Sequence, residues 1–373
     1  MNNPSQNDHT IVECGDTLAF HPGYYIREIL DESGMTQCDF AKQLDTTPKN
    51  LSLLLRGRQS LSVDMAMKLS RMLGTSAEYW LNLQLAFDTC IAEYEFKIEN
   101  QAEKEILNQI RYDYFIHSFH FPALAGHWTE QVKMVREFLK ISSLTILKRR
   151  DFTVHFRNAD LLLNETDIIK ANTMVQIATN LALQEAVPAF NQNAFDEAVN
   201  YALTLTKSHG DFYPLLKDAF AKAGVIFIVL PNIPGSKING STKKMRDHLI
   251  LMVNDRRLSS DSFWFTLFHE IGHIKNEDFG ISVEKEVGAK EQIANEFAQN
   301  ALIPIESYKN WIMKKDFSIP SILRFSTEID RDPGIVVGRL QNDGLLDSQS
   351  QVANRLKHTY KIVSKYNITL PQL

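Results

Sequence analysis

Two histidines and a glutamate stand close together in the stretch FWFTLFHEIGHIKN, which runs from Phe263 to Asn276. His269 and His273 are four residues apart, so on an α-helix they lie on the same face, one turn from each other. Two imidazoles in that position can hold one metal ion. Glu270 follows the first histidine, which in the H-E-x-x-H pattern is the position of a general base that does not bind the metal. The pattern predicts zinc hydrolase chemistry, in which the protein supplies three ligands and leaves one position for water.

The same stretch has a second interpretation, as a buried core helix in which the two histidines are incidental. Its apolar side chains would anchor the helix in the core under either interpretation, and they are Phe263, Trp264, Phe265, Leu267, Phe268 and Ile271. Gly272 is unfavourable in a helix, but it would let another segment approach closely. A third ligand on such a segment would favour the metal site.

The segment EKEVGAKEQIANEFAQNALIP supplies acidic candidates for the third ligand. Its part from Glu291 to Leu302 has the apolar spacing of a helix. Glu291 lies far enough after His273 to belong to a second helix that turns back against the first. On composition alone Glu284, Glu286 and Glu296 compete with it, because acidic residues on helix surfaces are usually solvated.

Together, the stretches F-W-F-T-L-F-H-E-I-G-H and E-Q-I-A-N-E-F-A-Q-N-A-L-I-P resemble the ImmA/IrrE family of metallopeptidases. In that family a glutamate stands three residues before an Ala-Asn pair, and Phe-Ala and a proline follow. The resemblance selects Glu291 as the third ligand of a Zn²⁺ ion beside His269 and His273. It also implies that Glu270 is the catalytic base and that the substrate is a protein such as a repressor. The later segment PGIVVGRLQNDGLL resembles the C-terminal part of the same family.

Two apolar runs before the H-E-x-x-H motif predict β-strands, AGVIFIVLP from Ala223 to Pro231 and HLILMV from His248 to Val253. The intervening stretch NIPGSKINGSTKKMRD is rich in glycine and polar residues, and we predict a loop that borders the cleft. Two strands followed by the motif helix indicate an α+β arrangement of the zincin type.

The whole chain has 373 residues, 44% hydrophobic and 23% charged, which is typical of a globular protein with two or three domains. Three separated cysteines, Cys14, Cys38 and Cys90, argue against a disulfide framework and against a cysteine zinc site. Neither a membrane-spanning run nor a signal peptide is predicted, so we expect a cytoplasmic protein without a membrane partner. The net charge of −5 does not by itself favour a nucleic-acid partner.

A segment of short helices near the N-terminus predicts a helix-turn-helix. We expect Thr36 to cap its second helix and Pro48 to occupy the first position of its third. Between Lys49 and Arg71 five basic residues face one acid, Asp64, so this segment is locally positive. Basic residues beside a recognition helix supply phosphate contacts.

Residues from His21 to Asp88, including LSVDMAMKLSRMLGTSAEYWLNLQLAFD, resemble the lambda-repressor-like (XRE-type) helix-turn-helix of HigA antitoxins. The resemblance implies binding to double-stranded DNA. We expect a homodimer on an operator with an inverted repeat, because one such module buries too little surface for tight specific binding. By register the resemblance assigns contacts with backbone or bases to Gln37, base contacts to Lys49, Asn50 and Leu53, and phosphate contacts to Thr47, Arg56 and Arg58.

The predicted fold class is therefore multidomain: an all-α lambda-repressor-like helix-turn-helix domain, a helical connector and an α+β zincin-like metallopeptidase domain. We place a polar N-terminal tail at 1–18, the helix-turn-helix domain at 19–88, the connector at 89–215 and the metallopeptidase domain at 216–373. The leading hypothesis is a DNA-binding regulator, of the antitoxin or stress-response type, that carries a zinc-dependent endopeptidase. The alternative is a non-catalytic repressor whose peptidase-like domain is a sensor or binds a partner such as a toxin.

Overall fold

The chain forms two compact units in a computed structural model, Met1–Ala102 and Glu103–Leu373. The structure describes residues 9–14, 16–153, 163–256, 259–283, 288–364 and 367–369.

The first unit is a small helical bundle preceded by a two-stranded hairpin. The hairpin pairs β1 with β2 in antiparallel register, and its four-residue strands are too short for their alternation to be visible in the sequence. The elements are β1 (Ile11–Cys14), β2 (Thr17–Phe20), α1 (Pro22–Ser33), α2 (Gln37–Gln43), α3 (Pro48–Leu55), α4 (Val63–Leu73) and α5 (Ala77–Ile110), the last of which continues past residue 102.

Side-chain caps define where the helices of this bundle begin. Thr36 accepts a hydrogen bond from the backbone N–H of Asp39 at 3.2 Å, and Thr47 accepts one from Asn50 at 3.1 Å. Pro48 is the first residue of α3, where its missing N–H costs nothing. The predicted roles of Thr36 and Pro48 are thus confirmed.

The second unit is built around a four-stranded mixed sheet in the order β3-β5-β4-β6. Strands β3 and β5 are parallel, whereas β4 runs antiparallel to both β5 and β6. Its elements are α6 (Tyr112–Phe119), α7 (Trp128–Leu139), α8 (Glu165–Ala182), α9 (Gln192–Thr204), α10 (Phe212–Lys222), β3 (Val225–Leu230), β4 (Ile238–Met245), β5 (His248–Asn254), α11 (Ser260–Lys275), β6 (Gly280–Val283), α12 (Ala289–Leu302), α13 (Ile305–Ile312), α14 (Ile319–Glu328), α15 (Pro333–Asn342), α16 (Gln351–Leu356), β7 (Lys361–Ser364) and β8 (Asn367–Thr369).

Helices cover both faces of this sheet. Val225 and Leu249 belong to one hydrophobic core, which also contains residues of α9 to α12, α14 and α15. Their strand neighbours Ile226 and Ile250 point to the opposite face and pack in a second core with α6, α7 and α8. Residues 103–215, where the sequence predicted a connector, therefore supply helices to both layers of this unit. The two predicted strands are confirmed as β3 and β5, and both are continuous apolar runs because both of their faces are buried.

The loop predicted between those strands is wrong in part, because β4 occupies residues from Ile238 to Met245. This strand does not alternate apolar and polar residues, because its buried positions include the polar residues Ser241 and Thr242 and the glycine Gly240. Polar residues and glycines in a row normally indicate a loop. Here they line the region next to the candidate site, where apolar side chains are not required.

No helix in the part of the chain that the structure describes is both long and apolar enough to cross a lipid bilayer.

Trp80 provides a test of the first unit, because it is 1% exposed and its Nε1 donates a hydrogen bond to Thr75 Oγ1 at 2.7 Å. We expect Trp80→Ala to lower the free energy of unfolding of this unit by about 3–5 kcal/mol. Hydrogen exchange measured by mass spectrometry at increasing urea reads residues 26–80 separately from the second unit. The neighbouring Tyr79→Ala is the control, since Tyr79 is 46% exposed, and it should change stability by about 0.5 kcal/mol or less.

Candidate functional site

Helix α11 carries the predicted motif and is held on most of its sides. Its first residue, Ser260, is fully buried and donates its hydroxyl to Asp332 Oδ1 at 2.9 Å. Trp264, Leu267, Phe268 and Ile271 are fully buried in the core beneath the sheet. These contacts fix the rotation of α11 about its axis, which decides where the two histidines point.

Helix α12 packs against α11 at Gly272. A Cβ atom at that position would lie 3.1 Å from Ala294 Cα and 3.1 Å from a ring carbon of Phe297. Contacts that close are tighter than side chains normally allow, so the absence of a side chain lets the helices approach. The expected role of Gly272 is confirmed by this contact.

This approach brings His269, His273 and Glu291 together. His269 Nε2 lies 3.1 Å from His273 Nε2 and 3.1 Å from Glu291 Oε2, while His273 Nε2 lies 3.1 Å from Glu291 Oε1. All three residues are buried. In a tetrahedral zinc site with bonds of about 2.0–2.1 Å, neighbouring ligand atoms are about 3.3 Å apart. The three side chains are therefore close to the spacing that a bound zinc ion requires.

In both imidazoles the hydrogen bond made by Nδ1 shows which ring nitrogen carries the proton. His273 Nδ1 lies 3.1 Å from Asp278 Oδ2, and His269 Nδ1 lies 3.0 Å from Asn295 Oδ1. A carboxylate can only accept, so His273 carries a proton on Nδ1, and the amide oxygen of Asn295 gives His269 the same tautomer. Each neutral ring then directs the lone pair of Nε2 towards the common centre.

Two lone pairs and a carboxylate cannot face one another at 3.1 Å without strong repulsion, so the centre must hold protons or a cation. Burial raises the pKa of Glu291. When protons fill the centre, both imidazoles carry one on Nε2 and donate it to Glu291, and these hydrogen bonds outweigh burial and lower the pKa to about 2. Glu291 is thus ionised at neutral pH, as a metal ligand must be. The donor set of two imidazoles and one carboxylate is one that zinc accepts in hydrolases, so these residues fit the ion.

Glu270 lies beside this cluster and is fully buried. Its carboxylate touches the backbone of β4 at Gly240, where a Cβ atom would lie 2.6 Å from Glu270 Oε1. With any other residue at position 240, the Glu270 side chain or strand β4 would have to shift. The sequence contained no signal that related these two residues, because they come from different elements.

A cavity of about 400 Å³ opens beside His269 and Glu291. One part of its wall is apolar, with Phe265, Leu302 and Ile335. The lining also contains several side-chain amides and three charged residues besides Glu291, namely Asn239, Asn254, Asn295, Gln299, Asn342, Arg256, Asp261 and Arg339. Such a mixture suits a peptide, because amide side chains can pair with a peptide backbone while apolar walls accept side chains.

The other acidic candidates differ in their positions. Glu296 is exposed on α12 and accepts a hydrogen bond from Gln292 at 2.8 Å, so it is turned away from the cluster. Glu284 and Glu286 lie outside the described residues. The sequence motifs assign no role in the site to Asp278 or Asn295. Asn295 stands four residues after Glu291 on the same helix face, which was a usable signal, whereas Asp278 follows α11 in a turn and had none.

A second group of possible metal ligands consists of His209, Asp332 and His358. The two imidazole rings are stacked, with centroids 3.7 Å apart and 26° between their planes. Ring lone pairs lie in the ring planes, so stacked rings do not direct them at one ion. Asp332 instead accepts from both rings, with His209 Nε2 at 3.1 Å and His358 Nδ1 at 3.2 Å. We assign this group as a hydrogen-bonded contact that holds the C-terminal segment.

The first unit presents several of the predicted DNA contacts at its surface. Lys49, Arg56 and Arg58 are exposed, within or directly after α3. Gln37 is also exposed, and its Nε2 donates to the carbonyl of Pro48 at 3.1 Å, which joins α2 to the start of α3. Leu53 is half-buried, so only part of its side chain is available to a thymine methyl group.

Two of the predicted contacts already take part in hydrogen bonds within the unit. Asn50 Nδ2 donates to Thr46 Oγ1 at 3.0 Å, so a bidentate contact with adenine would need that bond to be released. The hydroxyl oxygen of Thr47 accepts the capping bond, but its proton is left as a donor for phosphate.

The positive charge of this segment is smaller than the sequence indicated. Lys68 lies 3.2 Å from the carboxylates of both Asp45 and Asp64, and these contacts raise the pKa of Lys68 through hydrogen bonds from the amine to Asp45 and Asp64. The positive residues on the α3 side are therefore mainly Lys49, Arg56 and Arg58.

Each of the two units contains a match to a known protein family. Residues 26–80 match the family described as Helix-turn-helix, and residues 225–318 match the family described as IrrE N-terminal-like domain. YddM of Escherichia coli (strain K12), an uncharacterized HTH-type transcriptional regulator, is 42% identical over 88 residues, which are 24% of this chain and 92% of that protein. Virulence-associated protein I of Dichelobacter nodosus is 35% identical over 78 residues, or 21% of this chain and 72% of that protein.

Among solved structures, an addiction module antidote protein of a HigA family from Coxiella burnetii is 30% identical, with a TM-score of 0.21, and the match covers 22% of this chain and 92% of that one. From the two family matches and the near-complete coverage of YddM, the chain belongs to the XRE-type helix-turn-helix family, as a transcriptional regulator that also carries an IrrE-like domain with a metallopeptidase-type fold.

Proposed function

We propose that this regulator is a zinc-dependent endopeptidase that cleaves a protein substrate and that it binds operator DNA through its first unit. The single observation that carries the proposal is the convergence of His269, His273 and Glu291, with distances of 3.1 Å between their ligand atoms. These three residues would hold the ion. A zinc ion there would polarise a peptide carbonyl and lower the pKa of a water molecule.

The protein's own residues have distinct tasks in this proposal. Glu270 accepts a proton from the attacking water and returns it to the amine of the departing peptide. Asp278 and Asn295 keep both imidazoles in the tautomer that a metal requires, by accepting from Nδ1. The cavity beside His269 binds the substrate chain, with both amide and apolar side chains in its lining. A repressor or a partner toxin is the class of protein that we expect to bind there.

The burial of Glu270 favours a second candidate function. A base that is fully buried beneath β4 is out of contact with solvent, and a non-catalytic sensor or partner-binding domain would have no need for an accessible base. In this alternative the first unit represses an operon, and the second unit responds to a ligand or a protein without cutting it. Glu270 is the catalytic base in the first candidate function, whereas the second does not require its carboxylate.

For the first unit we propose a homodimer on an inverted repeat in double-stranded DNA. One helix-turn-helix module buries too little surface for tight specific binding, so two copies on half-sites about one helical turn apart are expected. Lys49, Asn50 and Leu53 on α3 would face the bases, with Gln37 at the start of α2 beside them. Thr47, Arg56 and Arg58 would contact phosphates.

Removal of a proposed ligand should remove the metal. We expect His273→Ala to lose stoichiometric zinc, measured by mass spectrometry of the metal in the purified protein, because two ligands hold zinc far more weakly than three. Asp278→Ala should keep the ion but weaken its binding about 10- to 100-fold in a chelator titration. The control is His209→Ala, which alters the stacked histidine pair. Zinc retained in His273→Ala and Glu291→Ala at the wild-type level would exclude the proposed centre.

The base can be separated from the ligands by one substitution. Glu270→Gln keeps the size of the side chain and removes the carboxylate, so zinc content and DNA binding should persist while cleavage of neighbouring-operon repressors falls about 10²- to 10⁴-fold. Glu296→Gln, an exposed change on α12, is the matched control and should keep full activity. If regulation in cells survives Glu270→Gln but is lost in Lys49→Ala, the non-catalytic alternative is correct.

Removal of a base contact and removal of a phosphate contact should weaken DNA binding in different ways. Lys49→Ala should weaken binding by about 1–3 kcal/mol and relax the preference at one base position, whereas Arg58→Ala should weaken all sequences alike and reduce the salt slope by about 1. Fluorescence anisotropy on promoter fragments at several salt concentrations measures both effects. Lys309→Ala, which alters an exposed lysine of the second unit, is the control. Binding that is weak and indifferent to both sequence and salt would contradict this assignment.

A further inference from the structure

Two of the three cysteines meet in the first unit, although they are far apart in the sequence. Cys14 ends strand β1 and is 9% exposed, and Cys90 lies on α5 and packs against the same small apolar cluster, which also contains Ala19 and Phe87. Both side chains thus pack in one cluster, and a hydrogen bond with Cys90 is among the causes that raise the pKa of the Cys14 thiol, after burial. The third cysteine, Cys38, is exposed at the start of α2 and is not a member of this cluster.

Cys14 and Cys90 lie on either side of the short helices in the sequence. All four short helices, α1 to α4, lie between Cys14 and Cys90 in the chain. A covalent bond between the two cysteines would therefore enclose the complete helix-turn-helix in one loop. Closing a loop of that length removes conformational freedom from the unfolded chain and so stabilises the folded unit.

The hairpin is also connected to the end of the recognition helix. The backbone N–H of His9 donates to the carbonyl of Arg56 at 3.1 Å, and the backbone N–H of His21 donates to the carbonyl of Thr10 at 2.8 Å. A Cβ atom on Gly57 would lie 2.5 Å from the carbonyl oxygen of His9, so this segment sits directly against the chain that leaves α3. The residues just before β1 therefore contact Arg56 and Gly57, which directly precede Arg58.

We propose that Cys14 and Cys90 are a redox-sensitive pair that a peroxide converts to an intramolecular disulfide, which locks the hairpin to α5 within the DNA-binding unit. Cys90 is the first to react because its side chain is partly accessible, whereas Cys14 is buried. Burial and the neighbouring thiol of Cys90 raise the pKa of the Cys14 thiol, which keeps it protonated and protects it from direct attack at neutral pH.

The chemistry balances with hydrogen peroxide as the oxidant. The thiolate of Cys90 attacks one peroxide oxygen, the O–O bond breaks, and hydroxide leaves, so that Cys90 becomes a sulfenic acid. The sulfur of Cys14, on losing its proton, then attacks the sulfur of Cys90, the S–O bond breaks and a second hydroxide leaves. Two thiols and one peroxide give one disulfide and two waters, and the two sulfurs supply the two electrons. A low-molecular-weight thiol reverses the reaction by disulfide exchange.

The test uses the full-length protein, treated with hydrogen peroxide and then with an alkylating reagent under denaturing conditions. We expect the number of free thiols to fall from three to one, and peptide mass spectrometry to find Cys14 linked to Cys90 while Cys38 is alkylated. Dithiothreitol should restore all three thiols. The proposal is overturned if both Cys14 and Cys90 remain alkylated, if Cys90 is oxidised to a sulfinic acid while Cys14 stays free, or if the only disulfide joins Cys38 residues of two chains.

Matched variants separate the pair from the lone cysteine. Cys38→Ser should retain the disulfide and a rise in the melting temperature of the first unit of at least several degrees, since each 1 kcal/mol shifts such a unit by about 4–8 °C. Cys90→Ser should lose both effects and should bind operator DNA equally before and after peroxide. Wild-type DNA binding, in contrast, should change on oxidation and recover with dithiothreitol. Equal responses of Cys38→Ser and Cys90→Ser to peroxide would contradict the assignment.

Discussion

Contact between α11 and α12 at Gly272 is the interaction on which the candidate metal centre depends. The histidines are on one helix and the carboxylate is on the other, so the distance between helix axes sets the distance between ligands. With Ala294 Cα only 3.1 Å from the position of a Cβ on Gly272, a larger residue there would move Glu291 away from both imidazoles. A metal with bonds of about 2.0–2.1 Å tolerates little of such a displacement.

The buried polar and charged groups of the candidate metal centre need hydrogen-bond partners that offset the free-energy cost of their burial. His269, Glu270, His273 and Glu291 are all less than a tenth exposed, and ionised groups in such surroundings cost several kcal/mol each unless they have partners. Asn295 and Asp278 accept from the two imidazoles, and Lys290 pairs with Asp278 at 2.7 Å. These partners come from the turn after α11 and from α12, which explains why the site needs more than its five-residue motif.

In the first unit, hydrogen bonds between side chains and the backbone at the helix ends position the helices. Caps from Thr36 and Thr47 fix where α2 and α3 begin, and Gln37 joins the two helices through the carbonyl of Pro48. The orientation of α3 relative to its neighbours therefore depends on short polar contacts as well as on its buried leucines. Such contacts also limit function, because Asn50 is engaged with Thr46 and must change partner to read a base.

Local patterns in the sequence were enough to predict the helix starts at Thr36 and Pro48, the two apolar strands and the α11 helix. These features depend on residues that are near one another in the chain, through helical periodicity, capping and a four-residue spacing. The choice of Glu291 among several acidic residues came from the family resemblance. Strand β4 was missed because its buried residues are polar. Asp278, Gly240 and the meeting of Cys14 with Cys90 were also out of reach. Each of these features depends on which elements pack together. Burial between distant segments and close approach of the backbone decide that packing, and neither leaves a local periodic signal in a single sequence.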